Sequence, residues 1–330
     1  MFNTIALVGN PNSGKTTIFN ALTGANQRVG NWPGVTVEKK EGYCAYNQTT
    51  FKIIDLPGTY SLGAYSEDEL IARDYILKNK PDVVINVVSA TNLERNLYLT
   101  TQLLEMGIKV VVALNMFDEA ERQKIRFDLN ALAARLGVPI VPTVAAAGKG
   151  LSKLLQTTIE LIGRENKPAL RLSYGKEIDR KIDTLERLIM AHDWGYPPRW
   201  LALKLVEGDP FLLKLVEKNI PDLPASETLR KALQDLQANQ EKYTLTVVNK
   251  RYEIITKLTE GSIIRPEKAP VTLSDRLDQL LMHKWWGLPI LALIMFLVFQ
   301  LTFKVGGDLL GGLIAGSLEK LGQIVKTFLE

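Results

Sequence analysis

The run Gly9-Asn10-Pro11-Asn12-Ser13-Gly14-Lys15-Thr16-Thr17 has the spacing G-x-x-x-x-G-K-[ST]. Glycines at those positions let backbone N–H groups curl around phosphate oxygens, and the positive end of a following helix favours the same anion. Lys15 adds a point charge for the outer phosphates, and Thr16 a hydroxyl for Mg2+. Further on, Asp55-Leu56-Pro57-Gly58 offers a carboxylate that can hold a Mg2+-bound water and a glycine N–H that can meet a γ-phosphate. Asn115-Met116-Phe117-Asp118 adds a second carboxylate. Asp118 can accept from the N1–H and the 2-amino group of guanine together. Adenine offers no such donor pair, and a buried acceptor left unpaired costs about 1–3 kcal/mol. Taken alone, Asn115–Asp118 reads equally well as a capped strand-to-helix turn. The ordered set points to GTP rather than ATP.

These groups need a rigid frame. Phe2 to Val8, Phe51 to Ile54, "PDVVINVVSA" and Val110 to Leu114 read as buried strands. "EGYCAYNQTTFKII" reads as a hairpin turning at Asn47-Gln48. Ile18, Phe19 and Leu22 mark one face of a helix after the glycine loop, "LERNLYLTTQLLEMG" a helix closed by Gly107, and "LSKLLQTTIELIG" a last one. This alternation predicts an α/β fold, a mostly parallel sheet with helices on both faces and the motifs at the strands' carboxyl ends. A polar stretch, "RENKPAL", suggests a boundary, giving a nucleotide-binding domain at 1–166 and an all-α helical domain at 167–270. In the latter, Ile178, Ile182, Leu185 and Ile189 share a face, and "PPRWLALKLVEGDP" is a short helix. Glu227 to Glu260 reads as one long helix carrying Leu229, Leu233, Leu236, Tyr243, Val247 and Leu258.

The third region, 271–330, holds 19 uncharged residues, 285–303, between Lys284 and Lys304. At helical rise they span roughly 28 Å, close to a hydrocarbon core of about 30 Å. Trp285 and Trp286 suit one interface, and Pro289 falls where a proline does least harm to a helix. Basic residues flank both sides, so the cytosolic location of GTP decides that Lys284 faces the cytoplasm. The tail Val305 to Glu330 then continues on the far side. Among the 330 residues the net charge is only +4, which argues against a nucleic-acid partner. Cys44 is the single cysteine and His192 and His283 the only histidines, so neither a disulfide nor a soft-metal site is expected. "MFNTIALVGN" lacks the features of a signal peptide.

The motif order resembles that of translation-factor-related G proteins. That resemblance assigns Thr36, in "GVTVEKKEG", as a switch threonine reaching Mg2+, and Ala145-Ala146-Ala147 as the fifth nucleotide-binding loop. Met116 replaces the usual lysine, Ala145 the usual serine, and Thr59, followed by Tyr60, the water-orienting glutamine. Hydrolysis would then rest on positioning and charge. Asn12 resembles the K+-ligating asparagine of potassium-activated G proteins. Three segments, "LVGNPNSGKTTIFNALTGANQRVGNWPGVTVEKKEG", "PPRWLALKLVEGD" with "RYEII", and "DRLDQLLMHKWWGLPILALIMFLVFQLTF", resemble the bacterial ferrous iron transport protein B family. The resemblance implies a slow GTPase whose catalytic residues are Lys15, Asn12 and Thr36. GTP or GDP would contact Gly9, Asn10, Pro11, Asn12, Ser13, Gly14, Lys15, Thr16, Thr17, Thr36, Asp55, Gly58, Asn115, Met116, Asp118, Ala145, Ala146 and Ala147. Mg2+ would sit at Thr16, Thr36 and Asp55, and K+ at Asn12. It further implies a helical spacer that favours GDP retention, homo-oligomers, and a place in the bacterial inner membrane with both folded domains cytoplasmic. Fe2+ would be handled by membrane helices absent from this chain. A ribosome- or tRNA-associated GTPase, and a non-catalytic membrane-tethered nucleotide sensor, are the alternatives.

Overall fold

The sheet is built outward from its most apolar strand. In the computed structural model, which describes residues 2–24, 26–47, 49–165, 171–219, 226–266, 277–278 and 280–304 with 316, 318 and 322, β1 (Asn3–Gly9) is buried on both faces. Side chains alternate along it. Ile5 and Leu7 therefore join one core layer and Ala6 and Val8 the other. The chain continues as α1 (Lys15–Thr23), β2 (Gln27–Asn31), β3 (Glu38–Tyr46), β4 (Thr49–Asp55), α2 (Glu67–Asp74), β5 (Val83–Ser89), α3 (Leu93–Glu105) and β6 (Val110–Asn115). Then come α4 (Phe117–Arg122), β7 (Arg126–Phe127), α5 (Leu129–Leu136), β8 (Ile140–Pro142) and α6 (Leu151–Ile162).

The sheet order is β2-β3-β4-β1-β5-β6-β8. From β4 to β8 the neighbours run parallel, while β3 is antiparallel to both β2 and β4. Ile18, Phe19, Leu154 and Leu155 cover one face; Leu97, Leu103 and Leu132 belong to the layer on the other. The expected hairpin is present, with Tyr46 opposite Thr49 and Asn47 left-handed at φ 46°. Asparagine tolerates that conformation; Gln48 lies outside the described residues. Strand β2 was not expected. It is an edge strand with mostly exposed side chains, so it carries no hydrophobic alternation to read.

The helices that follow are α7 (Lys176–Ile189), α8 (Pro198–Glu207), α9 (Pro210–Asn219), α10 (Ser226–Ala238) and α11 (Gln240–Thr259). Helix α7 buries Ile178, Ile182, Leu185 and Ile189 as its spacing requires. The single helix expected over 227–260 is two. It breaks at Asn239 (φ −119°, ψ 19°), whose side chain donates to Asp235 O at 3.0 Å. Asparagine favours such half-helical positions. The apolar residues on either side, Leu236 and Tyr243, are both buried and stand two helical turns apart, so periodicity runs through the break unseen. A two-residue strand, β9 (Ile263–Ile264), pairs with β7. The boundary expected near residue 167 lies outside the described residues.

Residues 1–267 form one compact unit and 268–330 another. In the second, α12 (Gly287–Gln300) opens a stretch, Gly287–Lys304, of 18 residues with mean hydropathy 1.9, long and apolar enough to cross a membrane. Its large side chains, Leu288, Leu291, Phe296 and Phe299 among them, are exposed. A helix that is apolar all round suits lipid. Pro289 sits in its first turn, where no intrahelical N–H bond is lost. His283 Nδ1 accepts from Trp285 and Trp286 N–H at 3.3 and 3.4 Å, just ahead of the helix. Of the tail after Lys304, only residues 316, 318 and 322 are described.

Candidate functional site

Strand β1 delivers Gly9 into a space where a side chain would not fit: a Cβ there would stand 2.6 Å from Val87 O and 2.8 Å from Ser13 Oγ. The loop then turns through Asn12, left-handed at φ 63°, and Gly14 at φ 86°, which begins α1. A Cβ on Gly14 would lie 2.1 Å from Asn115 Nδ2. Close approach thus requires both glycines, and at Gly14 the backbone angle does so as well. Inside the loop Ser13 N–H donates to Asn10 O at 3.1 Å. Asn10 and Ser13 are buried, and Asn10 Nδ2, Asn10 Oδ1 and Ser13 Oγ find no protein partner. Orphaned polar atoms of this kind suit a loop built to receive a polar ligand. Pro11, Asn12, Thr16 and Thr17 are exposed around it.

Lys15 and Asp55 are both buried and form an ion pair beneath the loop. Burial pushes the Asp55 carboxyl above its usual range, against the pull of Lys15 and of a hydrogen bond from Thr16. Lys15, Thr16 and Asp55 are therefore brought together; the Thr16 hydroxyl and the Asp55 carboxylate supply oxygens that fit a hard cation such as Mg2+. Gly58 also arrives at the loop: a Cβ on it would touch Pro11 Cα at 3.5 Å, and the next residue, Thr59, donates its N–H to Gly9 O at 3.1 Å. The Thr59 hydroxyl is already spent on Ser61 O at 2.6 Å.

Asn115 ties the base side to the loop. Its Nδ2 donates to Ser13 O at 2.9 Å, while its Oδ1 accepts from Ala145 N–H at 3.0 Å and Thr143 Oγ1 at 3.3 Å. Ala145–Ala147 form one turn of 3-10 helix, held by the Val144–Lys149 bridge. Met116 is left-handed at φ 58°, and its sulfur accepts from Ser89 Oγ at 3.7 Å. Asp118, half-exposed on α4, pairs with Arg122 at 3.1 Å. Arg122, Thr143 and Ser89 were not among the expected site residues. Only Arg122 left a sequence signal, the i, i+4 spacing from Asp118. Thr36 is exposed in the turn between β2 and β3. Among the described residues, no hydrogen bond joins it to the phosphate loop or to Asp55.

The family model described as "Ferrous iron transport protein B" matches residues 3–158, and that of the "FeoB cytosolic helical domain" matches 174–264. The solved cytosolic domain of the T. maritima FeoB iron transporter, in its apo form, aligns at TM-score 0.71 and 38% identity, over 80% of this chain and 100% of that one. The chain belongs to the ferrous iron transport protein B family. Its likeness to the Fe(2+) transporter FeoB of Escherichia coli (strain K12) is 41% identity over 310 residues, which is 93% of this chain and 39% of that protein. An Fe(2+) transport protein A/Fe(2+) transporter FeoB fusion protein of Porphyromonas gingivalis is also 41% identical, over 98% of this chain and 40% of its own. The chain thus spans about 40% of the length of these curated relatives. The T. maritima cytosolic domain is also solved in GDP and GMPPNP forms.

Within the unit of residues 1–267, two buried arginines join the sheet domain to the helices that follow it. Arg251 of α11 meets Glu105 of α3 at 2.9 Å and Glu207 of α8 at 2.7 Å. Arg73 of α2 meets Asp209, between α8 and α9, at 3.0 Å.

Proposed function

We infer that this chain is the GTP-binding and GTP-hydrolysing part of a ferrous iron uptake transporter of the bacterial inner membrane, with the G and helical domains on the cytoplasmic side. One observation carries the reading: Lys15, Thr16 and Asp55 converge beneath a glycine loop that Asn115 ties to the Ala145 turn. Such a site grips phosphates at one end and a base at the other. The GDP and GMPPNP forms of the T. maritima relative support guanine nucleotides as its ligands.

Each residue then has a task. Loop N–H groups from Gly14 to Thr17 cradle the phosphates, and Lys15 exchanges Asp55 for the outer ones. Asp118 accepts from guanine while Met116 covers the ring and the Ala145 N–H lies close by. Thr16 and Thr36, with Asp55 through a water, would hold Mg2+, and Asn12 would hold K+. Bound there, the two cations would neutralise charge building on the phosphoryl oxygens. Water attacks the terminal phosphorus without a side-chain base, since the Thr59 hydroxyl is committed to Ser61. The site therefore works by positioning and charge, and turnover is slow. The helical domain favours retention of GDP through its contacts with α2 and α3, and Fe2+ passes through membrane segments beyond this chain.

Phosphate release from GTP with Mg2+ tests this. Release should be faster in KCl than in NaCl, and Asn12→Ala should remove the difference. Equal rates in the two salts would remove K+ from the scheme, and no release above background would remove hydrolysis.

A further inference from the structure

The turn that presents Thr36 is not free. Upstream it is woven into the sheet, with β2 paired to β3 from Gln27↔Gly42 to Asn31↔Glu38. Trp32 N–H then donates to Val37 O at 2.9 Å, and Val35 N–H to Trp32 O at 3.3 Å, closing the turn on itself. Its anchor is the Trp32 ring, 8% exposed in a stretch whose other residues are exposed or half-buried. That ring stands edge-on to Tyr75 at 5.4 Å, directly after α2, with Lys39 Nζ 5.3 Å over its face. Trp32, Pro33 and Lys39 make one wall of a cleft, and Leu70, Ile71 and Tyr75 the other. The two segments, one carrying Thr36 and the other following Gly58, are therefore clasped to each other, with no hydrogen bond from Thr36 to the loop among the described residues. The clasp also holds a flaw. The indole Nε1 is buried and has no protein acceptor. A buried donor without a partner weakens the docked state, so it is poised to open.

We propose that Trp32 and Tyr75 set the preference of this site between guanosine di- and triphosphate, by holding Thr36 outside the Lys15–Thr16–Asp55 cluster until Trp32 undocks. The inference rests on the GTP-binding reading above. A triphosphate that recruits Thr36 to Mg2+ must first lift the turn away, and its apparent affinity falls by the fraction of molecules already undocked. A diphosphate makes no demand on Thr36 and binds both states alike. A ligand shifts such an equilibrium only through its differential affinity for the two states, so the clasp discriminates against the triphosphate alone. The aromatic pair is of a size that makes the effect measurable.

The test is equilibrium binding of fluorescently labelled GDP and GMPPNP, with Mg2+, to the full chain in detergent. Trp32→Ala and Tyr75→Ala should each tighten GMPPNP about three- to tenfold while GDP stays within about twofold. Trp32→Phe keeps an aromatic plug and removes the unpaired donor, so it should bind GMPPNP no more tightly than wild type. Tyr75 lies outside the Thr36 turn, so its variant reads the clasp even where Trp32→Ala impairs folding. Unchanged or weaker GMPPNP binding in both alanine variants would overturn the proposal, as would equal shifts for both nucleotides. If the wild-type chain bound neither nucleotide, the GTP-binding reading would fall and this inference with it. If it bound both and the variants matched it, only the clasp would fall.

Discussion

The two buried arginines that join the G domain to the helical domain look alike and sit differently. Arg251 lies between two buried carboxylates, Glu105 and Glu207, and donates to the Tyr174 hydroxyl at 2.8 Å and to that of Tyr98 at 3.1 Å. Lys204 adds a second cation on Glu207 at 2.6 Å. Arg73 has a buried carboxylate in Asp209 and a half-exposed one in Asp74, with Gly63 O at 3.4 Å and the Phe211 ring at 5.0 Å. Their places in the fold differ more than their partners. Arg251 grips α3, which carries none of the nucleotide motifs. Arg73 belongs to α2, whose preceding segment begins at Gly58 and is pinned by Leu62 N–H to Gln102 Oε1 at 2.6 Å and by Ser61 to Glu69 at 2.6 Å. One junction fixes the frame, while the other fixes the helix that follows Gly58.

Removing each arginine should separate these roles. Arg251→Ala strands two carboxylates in a dry interface and should destabilise the chain most, by about 3–5 kcal/mol, read as a lower denaturant midpoint. Its effect on GDP release should follow from lost stability alone. Arg73→Ala should cost less, about 1–3 kcal/mol, because Asp209 still accepts N–H bonds from Phe211 and Leu212 at 3.1 and 3.0 Å. It should nonetheless speed GDP dissociation severalfold, measured by stopped-flow chase. If Arg251→Ala sped release at full stability and Arg73→Ala did not, the comparison would be reversed.

The smallest effect is with pH, because two carboxyls of one junction shift in opposite directions. Burial would raise the Glu207 carboxyl, but Lys204 and Arg251 outweigh it and hold it near 2, down from 4.5. Its contribution is present above about pH 4.5 and is lost as pH falls toward 2. Burial pushes Glu105 above 4.5 despite Arg251, so this group takes up a proton earlier in the folded chain, and stability rises as pH falls to that value. The denaturant midpoint should therefore pass through a shallow maximum in mild acid and drop below it. Glu207→Gln should flatten the acid limb, and a limb left unchanged would locate the titrating group elsewhere.

Sequence reading reached the phosphate loop because all its parts lie within one contiguous run and one strand–loop–helix unit. The Asn115–Asp118 turn was legible for the same reason, since it follows directly on the apolar strand β6. The apolar stretch 285–303 announced itself through length and lack of charge. What escaped depends on distance or on weak local pattern. Arg73 and Asp209 are 136 residues apart, and Arg251 and Glu105 are 146 apart, so no spacing rule links them. Strand β2 is polar and exposed, and Asn239 interrupts a pattern whose apolar residues stay in phase. Trp32 read only as part of the first segment that resembles the family; its burial against Tyr75 needed the fold.

All of this turns on Asp118 choosing guanine, and one binding measurement tests that most directly. Labelled GDP, ADP and xanthosine diphosphate would be titrated into the wild-type chain and into Asp118→Asn. The account predicts that the wild type takes GDP far more tightly than ADP, and that Asp118→Asn loses GDP and gains the xanthine nucleotide, whose ring carries an acceptor where guanine carries its amino group. Tighter binding of ADP by the wild type, or a variant with unchanged base preference, would contradict it.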